Sequence, residues 1–119
     1  MSSPTFNAKL LPADVVPYLA AANETAGQLV KYGSIHLRAN NTVLAGEYNN
    51  GDAVGIHEFP KVTGAGTGAN RGEPMYFSAG SVTGAAGNAE DLVGFLWPLD
   101  GATSVADNAS TATVRLANG

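Results

Sequence analysis

The stretch Gln28-Leu29-Val30-Lys31-Tyr32-Gly33-Ser34-Ile35-His36-Leu37-Arg38 decides the fold class. Its first five residues carry Val and Tyr, which pack well on a pleated surface. Gly33-Ser34 permits a bend. Ile35-His36-Leu37-Arg38 then alternates apolar with polar, as a half-buried strand does. The period is two rather than 3.6, and Asn40-Asn41 follows as a turn signal, so the segment reads as strand, bend, strand, turn.

The same rhythm extends in both directions. Towards the N-terminus, Asp14-Val15-Val16-Pro17-Tyr18-Leu19 reads as a strand. The following Ala20-Ala21-Ala22 favours a helix, but two β-branched residues and Pro17 oppose one, and Pro17 implies an edge or a bulge. Towards the C-terminus, Thr42 to Ala45 is a short strand. Asn49-Asn50-Gly51-Asp52 is the strongest turn signal, because Asn-Gly adopts positive φ at low cost. Ala53 to Val62, Pro74 to Phe77, Ser81 to Thr83, Leu92 to Leu99 and Thr111 to Leu116 complete the strands, with Pro60 ending a ladder or lying at an edge. Two loops rich in small residues, Thr63 to Asn70 and Gly84 to Asn88, separate them, and Gly101 to Ser110 reads as an exposed polar loop. Roughly eight short strands at this spacing predict one small β-barrel or β-sandwich, spanning residues 13–119. Residues 1–12 read as an extended arm. Its Phe6, Leu10 and Leu11 have no obvious partner in the domain and are expected to contact a neighbouring subunit or a larger assembly.

Composition limits the function. The chain has 119 residues, 45% of them hydrophobic and only 13% charged. That charge is about half the usual share, so Asn, Ser, Thr, Gly and Ala must coat the surface. Such a coat can meet another protein without stripping water from many ions. Net charge is −4, and no two of the six basic residues are neighbours. Nucleic acid, which requires clustered cations, is therefore not an expected partner. No cysteine is present, which excludes disulfides and thiolate chemistry and suits a reducing compartment. No apolar run is long enough to span a bilayer as a helix, and Met1 to Leu10 lacks the pattern of a signal peptide.

Chemistry-bearing residues are sparse. His36 and His57 are the only histidines, both on expected strands, and no metal site is expected. Gly64-Ala65-Gly66-Thr67-Gly68 superficially matches a phosphate loop, but neither a helix nor a Lys follows it. Ser34 and Ser81 follow glycines without the strand-to-helix elbow that activates a nucleophile. Glu90-Asp91 reads as a turn before Leu92. No catalytic residue, cofactor or metal is expected. Trp97, the single tryptophan, is either core or an interface anchor.

Several segments, in order, resemble those of the phage capsid cement proteins, the small head-decoration proteins of tailed phages. Pro12-Ala13-Asp14-Val15 is similar to that family's Pro-Gly-Asp-Val. Val54-Gly55-Ile56-His57-Glu58-Phe59-Pro60-Lys61-Val62-Thr63-Gly64 resembles Gly-Val-Phe-Glu-Leu-Pro-Lys-x-x-Gly, and Gly27-Gln28-Leu29-Val30 resembles the family's second strand. Glu73-Pro74-Met75-Tyr76-Phe77, Gly87-Asn88 to Gly94, and Thr113-Val114-Arg115-Leu116 match its later strands. The resemblance spans residues 12–117. It departs at His57, where the family is apolar, and at Gly101 to Ser110, which is longer and more polar. It implies a structural virion protein, made in the host cytoplasm, that binds the major capsid protein on the outer surface of an assembled head. Its copies would be grouped as trimers, with no reaction and no membrane partner. Phe6, Leu10, Leu11 and Trp97 are the expected contacts. The alternative is a carbohydrate- or surface-binding β-module, such as a head fibre component. That function needs exposed aromatics beside acidic groups, and Trp97, Tyr48 and Tyr76 are scattered along the chain.

Overall fold

The computed structural model describes residues 15–117, so the arm and its Phe6, Leu10 and Leu11 lie outside the described residues. The described chain is all-β. A four-stranded antiparallel sheet contains β1 (Val15–Leu19), β2 (Leu29–Tyr32), β3 (Ile35–Ala39) and β4 (Tyr48–Asp52), in the order β1-β4-β3-β2. A five-stranded sheet contains β5 (Ile56–Pro60), β7 (Pro74–Ser78), β8 (Ser81–Thr83), β9 (Leu92–Leu96) and β11 (Thr111–Leu116), in the order β5-β11-β9-β7-β8. Two short strands, β6 (Ala69–Asn70) and β10 (Ser104–Val105), pair with each other.

The five-stranded sheet curls until its edges meet. Just past β5, Lys61 forms a parallel bridge to Val82 of β8, and the Val62 N–H donates to the Val82 carbonyl at 2.9 Å. The interior holds Phe59, Met75, Val82, Val93, Leu96, Ala112, Val114 and Leu116. Leu29 of β2 joins that cluster, so the four-stranded sheet packs onto the barrel and contributes to its core. Lys31 also reaches Asp91 across the two sheets at 2.9 Å, and the His36 ring lies 5.8 Å from that of Phe77.

Most of the expected strands are present, and Pro17 does lie on an edge strand, β1. Three segments differ. Asn49 to Asp52 belongs to β4, inside the sheet, and is not a turn. Gly51 lies outside the left-handed region; its role is close approach, since a Cβ there would sit 2.8 Å from Leu37 Cβ. Asn49 is buried, and its Nδ2 donates to Glu24 Oε1 at 3.0 Å and to the Asn41 carbonyl at 2.9 Å. Packing from both neighbouring strands thus overrides local turn chemistry. Thr42 to Ala45 forms no strand beyond the single bridge of Val43 to Glu24. The loop after Gly101 contains β10 and is tied down along its length, as described below.

The β7–β8 hairpin turns at Ala79 and Gly80, both left-handed, with φ of 49° and 88°. This two-residue turn favours Asn-Gly, and an alanine there is strained by roughly 1–2 kcal/mol. Ala79→Asn should therefore stabilise the protein by about 0.5–1 kcal/mol, raising the melting temperature by a few degrees. An unchanged or lower melting temperature by calorimetry would contradict the turn assignment.

Candidate functional site

The chemistry-bearing residues do not converge. His36 is fully buried, and burial, helped by Lys31 and opposed by Asp91, pushes its pKa down. His57 is half-buried on β5, with Nε2 2.9 Å from the Val54 carbonyl. Among the described residues no group of three or more His, Cys, Asp or Glu is placed to hold a metal ion. Glu90 and Asp91 belong to a 3-10 turn, Ala89–Asp91, leading into β9.

The glycine-rich loop has a different purpose from phosphate binding. Asp107 Oδ1 accepts from the Gly68 N–H at 2.8 Å, and Oδ2 accepts from the Gly66 N–H at 3.2 Å. The backbone donors that would cradle a phosphate are thus taken by the protein's own carboxylate. Those two N–H groups, Gly68 first, hold the Asp107 pKa below the usual carboxylate range. Beneath them lies Lys61, 5% exposed. Its Nζ donates to the Val62 carbonyl at 2.8 Å, Thr67 Oγ1 at 3.0 Å, the Asp107 carbonyl at 3.0 Å and the Ala109 carbonyl at 3.3 Å. Burial lowers the Lys61 pKa, and the Asp107 charge partly restores it. The motif that resembles Pro-Lys-x-x-Gly is therefore a structural knot that fastens two loops to the barrel seam.

Among the described residues, two exposed surfaces carry large apolar side chains beside polar groups. The first is at one end of the four-stranded sheet. Leu19 and Tyr48 are cross-strand partners and so share a face. Leu44 lies in the adjoining loop, which is joined to this end by the Gly46 N–H donating to the Ala20 carbonyl at 2.8 Å. Leu19, Leu44 and Tyr48 are 52%, 62% and 80% exposed. On the opposite face Tyr18 donates to Glu24 Oε1 at 2.6 Å, and burial, then this bond, raises its pKa.

The second surface is the outside of the barrel. Strand alternation turns Trp97 outward past buried Leu96, and Trp97 is 41% exposed. Its backbone N–H donates to the Thr113 carbonyl at 2.9 Å, and Thr113 pairs with Glu58 on β5. Trp97, Thr113 and Glu58 thus form one row across three strands. The Arg71 guanidinium lies 5.4 Å from the Trp97 ring centroid, and its Nη2 donates to the Ala102 carbonyl at 2.7 Å. Next to the row is an open cleft of about 340 Å³, whose lining includes Glu58, Asp100, Ser104, Thr111 and Thr113. Trp97 was expected as core or as an anchor; it packs on one side and is open on the other. The sequence reading missed Glu58 and Asp100, although strand alternation within β5 already turned Glu58 away from buried Phe59.

Comparison with family models, with curated proteins and with solved structures finds no match for this chain. Among the described residues, no helix is long and apolar enough to cross a membrane.

Proposed function

We propose that the chain is a structural virion protein that decorates the outer surface of an assembled phage head, with no catalytic role. The reading rests on the ordered resemblance given above. The observation that carries it furthest is the apolar end of the four-stranded sheet, where Leu19, Leu44 and Tyr48 are exposed together on a weakly charged protein. In sequence the arm precedes β1, an edge strand of this same sheet. The partner is the major capsid protein. Trimeric grouping of copies about a local axis follows from the resemblance alone. Trp97, the other expected contact, is exposed on the barrel surface rather than on the four-stranded sheet.

Each buried side chain of this type contributes roughly 1.5–3 kcal/mol, less the cost of ordering the arm. A protein that binds only the assembled shell stabilises it by mass action at every copy. Deleting residues 2–11 should leave the domain folded, because the described core is built from later residues. It should weaken co-sedimentation with undecorated heads by about an order of magnitude or more. Leu44→Ser with Tyr48→Ser should do likewise. Full-length protein that fails to sediment with heads would refute the decoration role. Truncated protein that binds as tightly as full-length would refute the role of the arm.

A further inference from the structure

We infer that the groove between β2 and the β7–β8 turn is the seat of the protein's own N-terminal arm, with Lys9 placed against Glu24. The groove has a volume of about 510 Å³, within the usual range of ligand clefts. Leu29, Val30 and Phe77 give it apolar walls. Ala22 and Ala79 add only methyl groups, which leaves room for a second stretch of chain. Glu24 also lines the groove and is 5% exposed. Its Oε1 accepts from the Tyr18 hydroxyl at 2.6 Å and from Asn49 Nδ2 at 3.0 Å, while its Oε2 accepts no hydrogen bond among the described residues. Lys31, the cation that lines the groove, is held by Asp91 at 2.9 Å. A mostly buried carboxylate with a spare oxygen is best met by a cation carried on the occupant. The groove therefore selects an apolar segment that bears one positive charge.

The arm has that chemistry. Lys9 is the one charged side chain in residues 1–12, with Phe6 before it and Leu10-Leu11 after it. The arm is also placed to reach the groove. Val15 pairs with Asp52, Asp52 with Arg38 and Arg38 with Leu29, so the start of β1 and the groove share one row of the sheet. Three strand spacings separate them, roughly 14–15 Å. The sheet is curled, with the Tyr18 and Tyr32 rings 4.9 Å apart, which shortens that path. Lys9 lies six residues before Val15 and so reaches up to roughly 20 Å. A short tether gives the arm an effective concentration on the order of millimolar, so in micromolar solution it outcompetes the arm of a second copy. An apolar arm held in this way is shielded until a partner displaces it. The inference stands apart from the decoration reading, since it concerns the protein free of heads.

The test is paramagnetic NMR on the full chain. The chain has no cysteine, so Ala8→Cys creates a single site for a nitroxide label. The label should strongly broaden the amides of Ala22, Gln28, Lys31 and Ala79, and dilution should not change this. Labelled protein mixed with unlabelled, isotope-enriched protein should leave those amides sharp. Lys9→Glu, which cannot disturb the described core, should lower the paramagnetic relaxation at these amides by about fivefold or more, and Lys9→Arg should preserve it. The inference is overturned if broadening centres on Leu44 and Tyr48, if it spreads evenly over the surface, or if it appears in the mixed sample. It is equally overturned if Lys9→Glu behaves like the parent.

Discussion

Gly94→Ala should lower the melting temperature by roughly 15 °C or more, or prevent folding altogether. Gly94 lies in β9, facing Leu116 of β11 in the ladder. A Cβ at this position would stand 1.9 Å from the Arg115 carbonyl oxygen and 3.0 Å from Val114 Cγ1. The obstacle is backbone rather than a flexible side chain, so rotamer changes cannot relieve it. The strands must separate, and they carry Val93, Leu96, Val114 and Leu116 of the core. Overpacking of a tight interior usually costs about 1–3 kcal/mol, and a clash with a neighbouring strand's backbone belongs at or beyond the top of that range. In a domain of this size, each kcal/mol corresponds to roughly 4–8 °C. Gly46→Ala supplies the contrast. Gly46 has a φ of 88° and nothing within 4 Å of its would-be Cβ, so only backbone strain of about 1–2 kcal/mol opposes the change. Differential scanning calorimetry should rank Gly94→Ala far below Gly46→Ala. The reverse order would mean that the two strands do not approach as described.

The all-β class was legible because it rests on local periodicity. Thr111 to Leu116 alternates in sequence and becomes a strand with alternating burial. Ile35 to Arg38 also becomes a strand, but Ile35 is exposed and His36 and Leu37 are both buried. What failed depended on neighbours distant in the chain. Asn50-Gly51 carries a strong turn signal, but Gly51 lies between Tyr18 of β1 and Leu37 of β3, and their proximity cannot be read from four residues. The buried role of Lys61 was not legible, because its acceptors come from three separate segments. The loop after Gly101 is mostly exposed, as it read, but its fastening was not legible, because the anchoring glycines lie in another loop. Trp97, Glu58 and Asp100 were individually visible. Their alignment depends on the register of β5 and β9 against β11, which tertiary pairing sets.

Lys61→Met should destabilise the protein by about 2–4 kcal/mol, despite the similar length of the two side chains. Methionine fills the space but donates nothing. An ammonium has three protons, and four acceptors surround Nζ, so every proton is used. The Asp107 carbonyl keeps only a shared donor after the substitution, because the single Thr67 Oγ1 proton lies between the Gly64 carbonyl at 2.6 Å and the Asp107 carbonyl at 3.0 Å. The Val62 and Ala109 carbonyls lose the Lys61 donor, and a buried acceptor left unmet costs roughly 1–3 kcal/mol. The damage should be local before it is global. Hydrogen exchange at Gly66 and Gly68 should accelerate, while the amides of β1 and β4 keep their protection. Acid should loosen the same knot in the parent protein. The native pKa of Asp107 is depressed, so its contribution is fully present above the ordinary aspartate value near ~3.9. That contribution is lost as pH falls through the lower native value, where the carboxylate is protonated and its bonds to Gly66 and Gly68 weaken. In the Lys61→Met variant, the exchange of these two amides should already be fast at neutral pH. A variant that melts within about 1 kcal/mol of the parent, with Gly66 and Gly68 still protected, would show that Lys61 is not what holds the two loops on the barrel seam.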